Sequence, residues 1–306
     1  MSRFVQYEEF GGPEVLQIVN VADPEPGPGE IRIKVAAAGL NPVDFKIFHG
    51  GPIAEAFGAS LPSGVGNDFA GVVDRVGAGV SEFAVGDEVF GAARNHAIAD
   101  LVVVPVESVL PLPAGLSLET AATLWVAGRT AWALVESLEL TGQDTVVVSA
   151  AAGGVGVLAA QLAKRKGATV IGTASAANHE YLRSIGVLPV AYGEGSADRL
   201  RAAAPQGLSA MVDAQGAASI SAALAAGVPS ARIVSAAAHA PDELQGARAV
   251  GGNDATTEAL AVVAQLVADG ALEVPIDSRF PLDQVQQAYV RAEGGHLRGK
   301  IVVSLA

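Results

Sequence analysis

Val146-Val147-Val148-Ser149-Ala150-Ala151-Ala152-Gly153-Gly154-Val155-Gly156 is a run of apolar β-branched residues that ends in a glycine cluster. The helical pattern at 155–166 begins at once after it. Strand, tight glycine turn and helix in that order bring unpaired backbone N–H groups and the positive end of a helix dipole to one point. Glycines there have no Cβ to hold phosphate oxygens away from the main chain. Ala152, Gly153, Gly154, Val155 and Gly156 are therefore the expected seat of a coenzyme diphosphate. A glycine pattern alone also suits ordinary turns, and it is the flanking strand and helix that supply the context of a dinucleotide site.

Outward from this turn, strand and helix patterns alternate. Strands are expected at 145–150, 169–174, 187–191, 210–213, 231–236 and 249–252, with helices at 155–166, 179–185, 197–204 and 220–226 between them. Nearly continuous apolar strands fit a parallel sheet covered on both faces. The first 115 or so residues read differently. Ile31-Arg32-Ile33-Lys34-Val35 alternates with period two, and turns such as Pro24-Glu25-Pro26-Gly27-Pro28-Gly29 separate short strands. That pattern predicts an antiparallel β domain. A helix at 282–292 and a strand at 300–304 close the chain, after the doubly wound sheet is complete. The tail is expected to rejoin the first domain, giving one domain of 1–119 with 270–306 and another of 120–269.

Bulk composition narrows the function. The 306 residues are 50% hydrophobic and 17% charged, a packed globular composition. A formal net charge of −13 disfavours nucleic acid and anionic membranes as partners. With no cysteine, the chain has no disulfides, thiolate nucleophiles or Cys-ligated zinc. The start Met1-Ser2-Arg3-Phe4 lacks a leader pattern, and the apolar stretch at 145–163 is broken by glycines, so a cytoplasmic location is expected. His49, His96, His179, His239 and His296 are dispersed without ligand spacing, as surface or internally bonded histidines are.

Ordered segments along the whole chain resemble the medium-chain dehydrogenase/reductase superfamily, specifically its zinc-free quinone oxidoreductase branch. They include Phe10-Gly11-Gly12-Pro13-Glu14-Val15-Leu16, Ala38-Gly39-Leu40-Asn41-Pro42-Val43-Asp44, Gly66-Asn67-Asp68-Phe69-Ala70-Gly71, Ala127-Gly128-Arg129-Thr130 and Gly299-Lys300-Ile301-Val302-Val303. The resemblance implies a GroES-like antiparallel β domain plus a Rossmann doubly wound six-stranded parallel sheet. It also implies NADPH-dependent hydride transfer to a quinone or an α,β-unsaturated carbonyl. The last sheet strand, at 249–252, is a candidate exposed edge, so a two-fold homodimer pairing such edges is expected. Zinc-dependent members carry a Cys and a His where this chain has Asn41 and Asn67, so no metal is expected.

About 20 residues past the glycine turn, NAD-specific folds place an acid on the ribose 2′-OH. Here the second strand ends Gly172-Thr173-Ala174-Ser175, with Asn178-His179 following and no acid before Glu180. The missing acid and the Ser175 hydroxyl thus point to NADPH, with Asn178 and the coenzyme-site candidate His179 standing where many relatives place a lysine. From the resemblance, Thr130 contacts the nicotinamide amide, Tyr192 lies beside the adenosine, and Ala236, Ala237, His239, Gly252 and Asn253 line the nicotinamide side. Asn41, Lys46 and Asn67 are the substrate-cleft candidates, with no obligatory acid. Lys46 reads equally as a solvated lysine, and Asn41 as a turn residue before Pro42. Two other functions suit the same motifs: a pathway-specific enoyl reductase, and an NADPH-binding sensor or store with little catalysis.

Overall fold

The computed structural model describes residues 1–305. Their contacts divide into two compact units, residues 1–126 with 276–295 and 300–305, and residues 127–275 with 296–299.

The first unit carries β1 (Ser2–Tyr7), β2 (Gln17–Val21), β3 (Glu30–Gly39), β4 (Ser63–Gly64), β5 (Asp68–Val76), β6 (Glu88–Ala92), β7 (Leu101–Pro105) and β8 (Val109–Pro111). The second carries β9 (Thr145–Val148), β10 (Thr169–Ala174), β11 (Leu188–Ala191), β12 (Ala210–Asp213), β13 (Ile233–Ser235) and β14 (Arg248–Ala249). The chain then returns to the first with β15 (Ile276–Pro281) and β16 (Lys300–Ser304).

In the first unit a three-stranded sheet has the order β2-β1-β4, and a seven-stranded sheet runs β15-β16-β3-β5-β6-β8 with β7 also on β3. Its pairings are antiparallel apart from β15 with β16. Alternation places Ile31, Ile33, Val35, Phe69, Phe90, Ile301 and Val303 in its core.

The second unit's sheet is parallel throughout, in the order β11-β10-β9-β12-β13-β14. Successive strands run outward from β9 in one direction, then restart at β12 in the other. Between β9 and β12 lies the point where this architecture leaves a crevice at the carboxyl ends of its strands. Val147, Ile171, Met211, Ile220 and Ile233 form its buried core, consistent with apolar strands covered by helices.

Several elements depart from expectation at their ends; the helix expected at 220–226, for one, spans Ala217–Ala225. β14 stops at Ala249, because Gly252–Asp254 turns into a 3₁₀ helix, with Gly251 N donating to Asp254 Oδ2 at 2.8 Å. β13 begins only at Ile233, since Ser230–Arg232 is also 3₁₀. The final helix splits into a 3₁₀ turn, Leu282–Gln284, and an α-helix, Val285–Glu293.

Candidate functional site

In the second unit the glycine turn lies where the sequence places it. The twelve-residue helix Gly154–Arg165 starts from Gly153 with no side-chain cap, so its first N–H groups face outward as an anion site does. A Cβ on Gly156 would collide with the Ala150 carbonyl oxygen. Gly153 N donates to that same oxygen at 2.8 Å. Ala150 itself holds a left-handed conformation at φ 47°, which costs a non-glycine residue about 1–2 kcal/mol. Something must hold the chain there.

That anchor is Asp213, which closes β12 and is fully buried. Its carboxylate accepts hydrogen bonds from Ser149 Oγ at 2.6 Å, Ser235 Oγ at 2.6 Å and Ser219 Oγ. It also accepts the backbone N–H groups of Gln215 and Gly216 at 3.1 and 3.0 Å. Ser149 Oγ in turn accepts Ala214 N at 2.8 Å, and Ser235 Oγ accepts Ala237 N and Ala238 N at 3.1 and 2.9 Å. One carboxylate thereby fixes the exits of β9, β12 and β13. Sequence reading missed it; the available signal was an acid ending an otherwise apolar strand.

The other coenzyme candidates fall into two groups. Ser175 follows β10, and the ring of His179 turns back to the Ala174 carbonyl at 3.2 Å. Tyr192 follows β11, half exposed, its hydroxyl 2.9 Å from His296 Nδ1. Below these ends lies a cavity of about 180 Å³, lined among others by Thr173, Tyr192, Gln215 and Ser219. The Thr173 hydroxyl is buried there without a partner. The second group is Ala236, Ala237 and His239 after β13, with Gly252 and Asn253 in the 3₁₀ turn. Gly252 lies against Thr130, since a Cβ on it would stand 3.2 Å from Thr130 Oγ1. The bonds from Asp213 to Ser149 and Ser235 connect the glycine turn to the second group.

The first unit holds a different cluster. Asn41 and Asn67, both buried, meet Asp44, Asp68, Lys300 and Tyr289. Lys300 Nζ donates to Asn41 Oδ1 at 2.5 Å, and Asn67 Nδ2 to Asp44 Oδ1 at 2.5 Å. Asp44 Oδ2 accepts Asn41 N at 2.8 Å and the Tyr289 hydroxyl at 3.2 Å. Asp68 Oδ2 accepts Val126 N at 3.2 Å, and its Oδ1 has no partner. Two carboxyls thus share one ammonium out of water, which disfavours ionisation of both. Burial, only partly offset by hydrogen bonds from Asn41 and Asn67 and by the Lys300 charge, lifts Asp44 to about 6. Burial against the Lys300 attraction lifts Asp68 to about 7. Burial lowers Lys300 and raises Tyr289. Lys46, half-buried on the helix Pro42–Phe48, lies outside this network. The lysine that meets Asn41 is Lys300, whose only local signal is a charge opening an apolar strand.

Among the described residues no three His, Cys, Asp or Glu side chains gather as a metal group. No helix among them is long and apolar enough to cross a membrane.

Comparison with known proteins places these features. Residues 27–114 match the alcohol dehydrogenase GroES-like domain, and residues 186–303 match the zinc-binding dehydrogenase family. A quinone oxidoreductase of Pseudomonas aeruginosa is 40% identical over 57% of this chain and 53% of its own length. The matched stretch therefore spans about half the length of that relative. A chloroplast envelope quinone oxidoreductase homolog of Arabidopsis thaliana is 30% identical over 98% of this chain and 97% of its own. Among solved structures, a mycobacterial protein complexed with NADPH superposes over all of both chains with a TM-score of 0.87 at 27% identity.

Proposed function

The chain belongs to the medium-chain dehydrogenase/reductase superfamily, in its quinone oxidoreductase branch, and on that premise we propose that it reduces quinones or α,β-unsaturated carbonyls with NADPH and without zinc. The observation that carries this reading is the uncapped helix start at the 153–156 turn, with the Ala150 carbonyl occupying the space a Gly156 side chain would need. A coenzyme diphosphate fits that cradle chemically and sterically. NADPH, when bound, supplies the hydride.

The chain's own residues do the rest. Backbone N–H groups at Gly154, Val155 and Gly156 hold the diphosphate, and Asp213 keeps the turn and the 236–239 loop in fixed register. Tyr192 and the Thr173 cavity suit the adenine, whose ring needs a flat apolar slot with few polar groups. Ser175 offers a donor, where a carboxylate would repel a 2′-phosphate. Thr130, beside Gly252, would hold the nicotinamide amide.

Zinc does not fit the residues at Asn41 and Asn67. Neutral amides are poor ligands beside thiolate and imidazole, and the Asn41 oxygen is already engaged by an ammonium at 2.5 Å. With that oxygen held by Lys300, the Asn41 amide keeps only N–H donors for a developing oxyanion, the kind of stabilisation a conjugated acceptor needs. Lys46 has no part in this scheme, and the accompanying proton comes from solvent. β14, whose two residues are exposed, ends the parallel sheet. We propose that it pairs with its counterpart in a two-fold dimer, which a dimer mass in solution would support and a monomer mass would refute.

The test is NADPH oxidation with naphthoquinone, then with an alkenal, each in the presence of a chelator. Turnover of at least one acceptor, unaffected by chelator, is expected. Loss of activity on chelation, or turnover of neither, overturns the reading. For coenzyme choice, Ser175→Asp should shift preference toward NADH, and an unchanged affinity for NADPH would refute the role of Ser175.

A further inference from the structure

The tail from β15 onward belongs to the first unit except for four residues, His296–Gly299, which belong to the second. Polar contacts of this segment reach the exits of three parallel strands. Gly299 N donates to Ala152 O at 2.7 Å, and Gly299 bridges Gly153 in parallel, on the glycine turn after β9. Arg298 Nε donates to Asn178 Oδ1 at 3.1 Å and Nη2 approaches Ala177 O at 3.4 Å, on the loop after β10. His296 Nδ1 meets the Tyr192 hydroxyl at 2.9 Å, with the rings stacked at 18°, at the exit of β11. The path depends on glycine: Gly299 has φ 77°, and a Cβ there would collide with the Pro275 carbonyl.

We infer that His296–Gly299 is a strap over the nucleotide site, and that Arg298 within it supplies the cation that selects a coenzyme bearing a 2′-phosphate. This rests on the proposed use of NADPH. A 2′-phosphate belongs at the end of the second strand of such a sheet, where an arginine accommodates it in NADP-binding members of the architecture. The loop's own sequence, Ser175-Ala176-Ala177-Asn178, contains no cation. A single serine hydroxyl does not balance a charge near −2, whereas a guanidinium fork meets phosphate oxygens two at a time. Arg298 is exposed and already rests on this loop, its guanidinium 5.1 Å from the Tyr181 ring centroid. That stacking and the Asn178 bond hold a long, flexible side chain in place before any ligand arrives.

The experiment compares the parent protein with Arg298→Ala and Arg298→Lys. KM and kcat are measured for NADPH and for NADH with naphthoquinone. Binding of adenosine 2′,5′-bisphosphate and of adenosine 5′-monophosphate is measured by calorimetry, which needs no turnover. Arg298→Ala should raise KM for NADPH about 30-fold, leave kcat and the NADH constants within about twofold, and weaken only the bisphosphate. Arg298→Lys should recover part of the loss. Equal losses with both coenzymes, which a merely structural arginine would produce, overturn the inference, as does an unchanged NADPH constant. In those cases the parent's NADPH turnover still stands. A parent that neither binds nor uses NADPH refutes the coenzyme reading itself, and the inference with it.

Discussion

Asp68 in the first unit and Asp213 in the second are both fully buried aspartates, and their surroundings differ sharply. Asp213 accepts from three serine hydroxyls and two backbone N–H groups and has no cation among these partners. Asp68 accepts one backbone N–H, shares Lys300 with Asp44, and leaves an oxygen with no partner. Directed dipoles that hold a carboxylate also fix the loops that carry them. A shared ammonium at longer range offsets the burial of the acid only in part, and burial keeps the acid close to its protonated form. The first arrangement suits a scaffold for a ligand, the second a group balanced between two protonation states.

The largest effect should come from Lys300→Met, which leaves two carboxyls buried without their counter-charge. Urea unfolding should show a loss of about 3–5 kcal/mol, and a loss below 1 would mean that the ammonium is not what supports the cluster. Next is the same substitution at both aspartates. Asp213→Asn puts an N–H₂ against hydroxyl and backbone donors and should cost about 3 kcal/mol. Asp68→Asn removes the less satisfied acid and should change stability by less than about 1 kcal/mol. Equal costs at the two sites would erase the distinction between them.

Acidity sharpens it further. Asp44 and Asp68 bind their protons more tightly folded than unfolded, so the penalty of ionising them is absent below the ordinary carboxylate range. It grows as pH rises from about 4 through about 6 and about 7. Unfolding free energy should therefore fall over that window, and Asp68→Asn should flatten the slope. Lys300, lowered by burial, gives the opposite slope as the ordinary lysine pKa is approached. Denaturation midpoints at pH 5 and pH 8 check the sign, and a midpoint that rises between them contradicts it. The smallest effect is expected at Ala150→Gly. Relief of the left-handed strain at φ 47° should stabilise the protein by about 0.5 kcal/mol after the entropy cost of glycine, read as a small rise in Tm.

How much of this was legible in the sequence depended on distance along the chain. Strand, glycine turn and helix are local patterns, and β9, β10, β12 and the helix Gly154–Arg165 fall within a residue or two of expectation. Asp213 binds Ser149 64 residues away, and nothing periodic marks such a pair. Lys46 lies near Asn41 along the chain, yet Lys300, 259 residues distant, is the lysine that reaches it. Lys300 had to be missed, since β16 joins β3 only through tertiary pairing. The same holds for Arg298, whose place on the loop after β10 depends on where the tail crosses. The strand ends at Ala249 and Ile233 moved because 3₁₀ turns satisfy backbone groups over three residues, below the length at which periodicity can be read.

The most direct measurement is a single-turnover reduction of naphthoquinone, in chelator, with NADPH deuterated at the transferring C4 position. Slower coenzyme oxidation than with ordinary NADPH is the expected result, because the hydrogen leaving C4 would then be moving in the step observed. Identical rates with both coenzymes, or reduction that begins only when zinc is added back, would contradict direct metal-free hydride transfer.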